Sequence, residues 1–419
     1  MLLTGHPMHY PQGAPIDPAT TSRGSDQTGM RAYNERLILS VVRRHGAMPR
    51  ADIARLTGLS AQTVSVIIRN LEQDGLLLSG EKQRGRVGQP SQPMMLNPDG
   101  VFSFGLKIGR RSAELVLVDF TGTIRARMHQ TYLWPVPDNI LHFTLSAIEQ
   151  FTAQLTPFQQ TRIAGLGIAM PFELWNWVEE VGAPPADLQA WQSTDICEAL
   201  SLKLPFPVLI QNDATAACGA ELTFGSGPDY ADYVYFFIGS FIGGGVVLNN
   251  TLYAGRSGNA GALGSMPMGN GFVTTAGQIS RPAQLIDTAS LFILERSLKQ
   301  QNINTAPLWA APDNWEIFNP VLDEWVLLTA RSLAHAISSA ASVIDFPAAI
   351  IDGWMPENLR AKIVETTRSE IGRLNLQGII PPVIEEGTVG VHAKALGAAR
   401  LPIFSRYLFD QNVLFKHIQ

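Results

Sequence analysis

Two groups of residues in this 419-residue chain have types and spacings that can do chemistry. The first is Ser60-Ala61-Gln62-Thr63-Val64-Ser65, with Arg69 one turn further on. As the opening of a helix, it would present Ser60, Ala61, Gln62, Thr63, Ser65 and Arg69 as a face suited to the major groove of DNA. Gln62 can bond an adenine through both ends of its amide, and Ala61 or the methyl of Thr63 can touch a thymine methyl. Thr63 and Ser65 can instead hold phosphate oxygens, which fixes register without reading bases. Downstream, Lys82-Gln83-Arg84-Gly85-Arg86-Val87-Gly88-Gln89-Pro90-Ser91 is a basic, glycine-rich tip. Its Arg84 and Arg86 suit a narrow minor groove, where the negative potential is enhanced. The second group is Asn212-Asp213, at the junction of an apolar strand and a helix. These two residues either cap that helix, a role both fill well, or contact a ligand.

Those residues need elements to position them. Tyr33, Leu37, Ile38, Val41 and Val42 recur at helical spacing until Gly46, and a short second helix spans Arg50 to Thr57. Gly58-Leu59-Ser60 then reads as a turn whose serine caps the next helix. That helix places Val64, Ile67, Ile68 and Leu71 on one apolar face and stops at Asp74-Gly75. Two helices across a glycine turn form a helix-turn-helix, and Leu76–Leu78 and Met94–Leu96 flank the basic tip as two strands. After Asn97-Pro98-Asp99-Gly100 the texture becomes α/β. Strands are predicted at 102–108, 113–119, 124–130 and 163–169, with a helix at about 139–155 between the last two. Val208–Gln211 leads into a helix from Asp213 to about Phe224, and 233–238 and 244–248 pair around a glycine loop. Long helices at 320–344 and 356–374 enclose a strand at 348–352. Three antiparallel strands followed by a βαβα series, repeated once, predict two related lobes with a cleft between them.

Charge supports the division. Met30 to Met95 holds ten Lys and Arg against five Asp and Glu, whereas residues 96–419 carry a balance of −9 within a total of −5. A basic module on an acidic body suits a polyanion partner for the module, although windows this short also drift by a few charges. Apolar residues at 46% and charged residues at 16% exclude a disordered chain and a coiled coil. Cys197 and Cys218 are too few for a disulfide framework and fit a reducing compartment. With no apolar run of membrane-spanning length and no signal-peptide pattern, a cytoplasmic chain without a membrane partner is expected. Residues 1–28 read as a disordered tail rich in Pro, Gly, Ser and Thr, in which His6 and His9 are bystanders.

The segments Asn34-Glu35-Arg36-Leu37, His45–Ala54, Thr57–Ser60 and Gly85–Ser91 together resemble the N-terminal domain of ROK-family transcriptional regulators. The resemblance continues through Gln211–Ala217, the glycine-rich Gly239–Gly245, Tyr253–Gly255, Gly258–Gly261 and Ala395–Ala399. It implies a winged helix-turn-helix at 29–96 followed by a two-lobed actin-like (ribonuclease-H-like) domain at 97–419. The lobe boundary would fall near 212, with the C-terminal helix returning to the first lobe. It also implies a repressor of carbohydrate metabolism with operator DNA and a sugar-like effector as partners, in a homodimer or homotetramer. By the same resemblance, Asp213 is the base of the family's kinases and a sugar-hydroxyl acceptor in its regulators, with Asn212 beside it.

This sequence departs from the family at several points. Gln89 replaces a usual arginine of the wing. The kinases' Asp-Xaa-Gly-Xaa-Thr turn reads Lys107-Ile108-Gly109-Arg110-Arg111, so Lys107 replaces the carboxylate and Arg111 the threonine. Phosphoryl transfer needs a metal and positioned donors, and Phe241 stands where a glycine lets backbone approach phosphate. No kinase activity and no cofactor are expected. The family's Gly-His zinc pair is Gly264-Ser265 and Gly269–Ser280 holds neither Cys nor His, so no metal is expected either. Ala262 replaces one sugar-binding glutamate, and no later glutamate stands near Arg281-Pro282-Ala283. Trp175, Trp177 and Trp191 are either core or a sugar-stacking surface. A sugar kinase fused to a DNA-binding domain, and a regulator whose degenerate cleft binds a protein, are the alternative readings.

Overall fold

The computed structural model describes residues 27–81, 92–171, 174–177, 184–225, 230–273 and 281–409. Helix α1 (Gln27–His45) begins two residues inside the stretch read as tail and ends before Gly46, whose φ of +71° suits glycine. Strand β1 (Met48–Pro49) leads directly into α2 (Arg50–Thr57). At the head of α3 (Ala61–Gln73), Ser60 Oγ accepts the Thr63 N–H, and Val64, Ile67, Ile68 and Leu71 are buried as their spacing requires. Strands β2 (Leu77–Ser79) and β3 (Pro93–Leu96) pair antiparallel, and β1 adds to β3 to give the order β1-β3-β2. Only two strands are predicted here, because a two-residue strand has no periodicity to read. The tip with Arg84 and Arg86 lies outside the described residues.

The body uses one topology twice. Strands β4 (Phe102–Ile108), β5 (Ser112–Asp119) and β6 (Ile124–Thr131) form an antiparallel meander. Helix α4 (Pro137–Thr152) crosses back so that β7 (Ile163–Met170) joins β4 in parallel, and β8 (Val208–Asn212) extends the sheet. The order is β6-β5-β4-β7-β8, and α5 (Asp213–Phe224) follows. The second sheet repeats the meander with β9 (Tyr233–Ile238), β10 (Gly243–Leu248) and β11 (Thr251–Leu252). A hairpin of β12 (Pro267–Val273) and β13 (Arg281–Gln284), then α6 (Leu291–Gln300) and α7 (Val321–Val343), make the crossover. Strand β14 (Ala348–Gly353) joins β9 in parallel, and after α8 (Glu357–Ile371) comes β15 (Val383–Glu386). The order β11-β10-β9-β14-β15 matches the first sheet strand for strand, the two-lobed actin-like arrangement that the sequence implies. Helix α7 is apolar and 23 residues long, but 56% of its most apolar stretch is buried, against α6 and α8. It is a core helix of the second lobe.

The helices that follow the two sheets change sides. Helix α5, after the first sheet, packs on β10, while α9 (Ala393–Tyr407), after the second, packs on β4 and β7. The two helices therefore lie against each other between the sheets. Small residues permit this: a Cβ on Gly397 of α9 would overlap the Ala216 carbonyl of α5, and one on Gly167 of β7 would overlap the Ala398 carbonyl. Ala169, Ala216 and Ala398 form a small core of their own at this contact.

The N-terminal unit is fastened to this pair of helices through α1. Arg43 donates to the Phe120 and Thr223 carbonyls at 3.2 and 2.9 Å and stacks over Phe224, 4.5 Å away. Arg36 donates to the carbonyls of Phe404 and Leu408 at 3.1 and 2.5 Å and lies 4.2 Å over Phe409. Burial lowers the Arg43 pKa to about 10, a cost that its charge-assisted bonds offset.

Candidate DNA interface and interlobe cleft

The recognition face is built on α3. Ser60, Ala61, Gln62 and Arg69 are exposed, and Thr63 and Ser65 are half-buried. Ala61, Gln62, Ser65 and Arg69 fall within two turns on one side of the helix, so all of them can face the same groove. Val66, 51% exposed, stands among them. The sequence reading missed it, because a solitary apolar residue outside the core stripe gives no signal of its own. The hydroxyls are not idle. Ser65 Oγ donates to the Ala61 carbonyl at 2.7 Å, and the Ser60 and Thr63 hydroxyls share a 2.8 Å bond. A phosphate accepts only, so Ser65 must turn from Ala61 to hold one. Of the ten cations counted toward a polyanion, Arg36 and Arg43 face the body rather than solvent.

The second site lies where β4, β8 and the N-terminal ends of α5 and α9 meet. Asn212 caps α5, its Oδ1 accepting the Ala214 and Thr215 N–H groups at 3.0 and 3.2 Å. Asp213 does not cap. Its carboxylate is buried and bonds Lys394 of α9 at 2.5 Å. Burial alone would raise the Asp213 pKa, but Lys394, with Arg110 and Lys107, holds it below the usual carboxylate range. Lys107 Nζ donates to the carbonyl and hydroxyl of Ser112 and sits 5.8 Å from the Trp354 ring. Its burial, and then Lys394, lower its pKa to about 8. Arg110 stacks over Phe241 at 4.1 Å.

A cavity of about 150 Å³ opens beside this pair. Its walls include Asn212, Asp213, Pro171, Gly243, Asn259, Ala262 and Ser265. A smaller recess of about 30 Å³ continues inward past Lys394 and Asp213, lined by Lys107, Arg110, Phe241, Trp309 and Trp354. Of the three tryptophans singled out from sequence, Trp175 and Trp191 are not among the described lining residues. Trp191 is buried and donates to the Pro135 carbonyl, Trp175 packs on the first-lobe core, and the Trp177 side chain is outside the described residues. Trp309, Trp354 and Lys394 were missed, since only the tertiary fold brings them to Asp213. Elsewhere between the lobes, Arg111 reaches Glu295 of α6 at 3.3 Å, a buried ion pair.

The ROK family profile matches residues 103–403, and a winged helix-turn-helix DNA-binding profile matches 31–77. The chain is 24% identical over 378 residues to the uncharacterized protein y4fQ of Sinorhizobium fredii, covering 90% of this chain and 92% of that one. It is 28% identical over 244 residues to the xylose repressor of Bacillus subtilis, covering 58% of this chain and 62% of the repressor. With the dual regulator NagC of Escherichia coli it shares 23% identity over 253 residues, 58% of this chain and 60% of NagC. Among solved structures, a ROK family transcriptional regulator described as a homolog of the E. coli MLC protein superposes with a TM-score of 0.63 at 18% identity. That match covers 90% of this chain and 96% of the regulator. A ROK family glucokinase from Streptomyces griseus superposes with a TM-score of 0.54 at 21% identity, covering 72% of this chain and 98% of the kinase. At such identities these two likenesses speak to the fold.

Proposed function

The chain belongs to the ROK family, and from that premise we propose that it is a DNA-binding transcriptional repressor controlled by a sugar-like effector in the interlobe cleft, and not a kinase. The observation that carries this reading is the Asp213–Lys394 pair. A carboxylate held by a lysine below its usual pKa is a poor base for activating a sugar hydroxyl. Lys107 and Arg111 likewise give the phosphate turn cations in place of a metal-binding carboxylate and a hydroxyl. The exposed stripe on α3 supplies the DNA contact, and the resemblance to xylose repressor and NagC supports a carbohydrate effector. Such a repressor works on the chromosome, in the cytoplasm, as an even oligomer. A single helix-turn-helix reads one half-site, and a two-fold assembly matches a palindromic operator.

Fluorescence anisotropy with the promoter region of the chain's own gene tests the reading, with an ATP-turnover assay on a sugar panel beside it. The expected result is salt-sensitive, sequence-selective DNA binding without sugar-dependent ATP turnover. Gln62→Ala should relax base preference by about 1–3 kcal/mol while random-sequence binding holds. Equal losses on operator and random DNA would show that Gln62 does not face the bases. ATP turnover stimulated by any sugar would return the chain to the kinases. A light-scattering mass near the 45.6 kDa of one chain would remove the oligomer from the proposal.

A further inference from the structure

The recognition face of α3 carries one side chain that the polar contacts leave unused. Val66 is 51% exposed. Its neighbours one turn away on the helix surface, Gln62 and Thr63 before it and Arg69 and Asn70 after it, are all polar. It packs in none of the hydrophobic clusters of the described residues, whereas Val64, Ile67, Ile68 and Leu71 of the same helix all lie in the core. A β-branched side chain at such a position gains nothing for the helix, since it loses rotamer freedom against the preceding turn. Lone apolar residues are common on protein surfaces, so exposure by itself decides nothing. The place of Val66 on α3 is what sets it apart. It stands four residues after Gln62 and three before Arg69, on the side that also carries Ala61 and Ser65. Helical side chains lean toward the N-terminus of their helix, so Val66 overlies the turn that bears Gln62. The hydroxyls beside it are engaged, Ser65 with the Ala61 carbonyl and Thr63 with Ser60.

We propose that Val66 reads a thymine through its C5 methyl group, one or two base pairs from the adenine bonded by Gln62. Residues four apart on a helix are separated by about 6 Å along its axis, and successive bases of a strand by about 3.4 Å. In the major groove thymine alone among the four bases presents a methyl group, while cytosine offers an amino donor and the purines offer N7 with O6 or an amino group. Val66 can bond none of these. Any other base at that step loses water from a polar edge and gains no partner. Thymine is favoured twice, by burial of its methyl and by the cost of the alternatives. Ala61 and Thr63 stand a turn earlier and address bases nearer the start of the helix. This inference rests on the proposed DNA contact of α3, and adds to it a further specificity-determining residue and the base it selects.

A deoxyuridine scan with the full chain tests it. The probe is the tightest duplex that the protein selects from a randomised library long enough for two half-sites about one helical turn apart. Each thymine of that duplex is replaced in turn by deoxyuridine, which removes the C5 methyl and keeps every hydrogen-bonding group. The wild type should lose about fourfold in affinity at one thymine of each half-site, the worth of one buried methyl. Val66→Ala should bind the thymine and deoxyuridine duplexes equally at that position and keep the wild-type affinity for random DNA. Alanine is the better helix former, so the unfolding midpoint of Val66→Ala should be no lower than that of the wild type. Gln62→Ala, measured on the same duplexes, locates the adenine and should leave the deoxyuridine penalty in place. A penalty that persists unchanged in Val66→Ala belongs to another residue and would overturn the assignment. So would a selected site with no methyl-dependent thymine within about two base pairs of the Gln62-dependent adenine. Both results leave the DNA-binding reading standing. Failure to select any sequence over random DNA would instead remove that reading, and this inference with it.

Discussion

A lysine ammonium held out of water weakens the fold around it, and Lys107 is such a group. Its pKa falls from the ordinary 10.5 to about 8, through burial first and the neighbouring Lys394 second, with Glu114 and Asp213 opposing. Because the folded value lies below the unfolded one, the unfolded chain binds more protons between pH 8 and 10.5. The penalty is therefore complete below pH 8 and is relieved as pH rises through that window. Lys107→Met keeps the stem and removes the charge, so it should raise unfolding stability at pH 7 by about 2 kcal/mol. The same variant should flatten the alkaline rise in stability expected of the wild type. Denaturant titrations of both proteins at pH 7 and pH 10 measure this, and a loss of stability in Lys107→Met at pH 7 would contradict it. Sequence makes the first half of this site legible, because Asn212-Asp213 follows an apolar strand and Lys107 stands in a recognisable turn. It does not reveal Lys394, on a helix whose apolar pattern says nothing of a partner 181 residues away. Nor does it reveal Trp309, whose ring has the same apolar character as a core residue.

Helices α5 and α9 decide how far the cleft can communicate. Their spacing depends on small side chains at the crossing, where Gly397 meets the Ala216 carbonyl. That neighbour is backbone in the middle of a helix and cannot rotate aside, so even one methyl forces the helices apart. Gly397→Ala should cost about 3 kcal/mol or prevent folding, whereas a wild-type-like unfolding midpoint would show that the helices separate cheaply. Elements with a period of their own are legible from sequence. The buried stripe of α3, the meander of the first sheet and the long α7 all fall within a few residues of where patterning puts them. The hand-over of α5 and α9 to the opposite sheets is not. Alanine-rich helices such as Ala214–Ala217 and Ala395–Ala399 bury small residues on nearly every side and offer no face to read.

At the scale of the whole molecule, each of the two helices spans the distance from cleft to recognition unit. Asp213 and Lys394 stand in their first turns and are paired. Thr223 and Phe224 at the end of α5 hold Arg43 of α1, and Phe404 and Leu408 at the end of α9 hold Arg36. A ligand in the cleft that moves the first turn of either helix would therefore act on two packed levers whose far ends both grip α1. Arg111–Glu295 meanwhile ties the lobes together. An effector shifts operator binding only by its differential affinity for the two arrangements, typically about 1–3 kcal/mol. Linkage makes the effect reciprocal, so operator DNA must change effector affinity by the same factor that effector changes operator affinity. The double variant Arg36→Ala, Arg43→Ala removes the grip without touching the cleft. Its effector affinity in the absence of DNA should match the wild type, while the coupling factor falls toward one in both directions. Calorimetry of the effector with and without operator, against anisotropy of the operator with and without effector, reads both. A double variant whose coupling equals that of the wild type would mean that the signal leaves the cleft by another route than α5, α9 and α1.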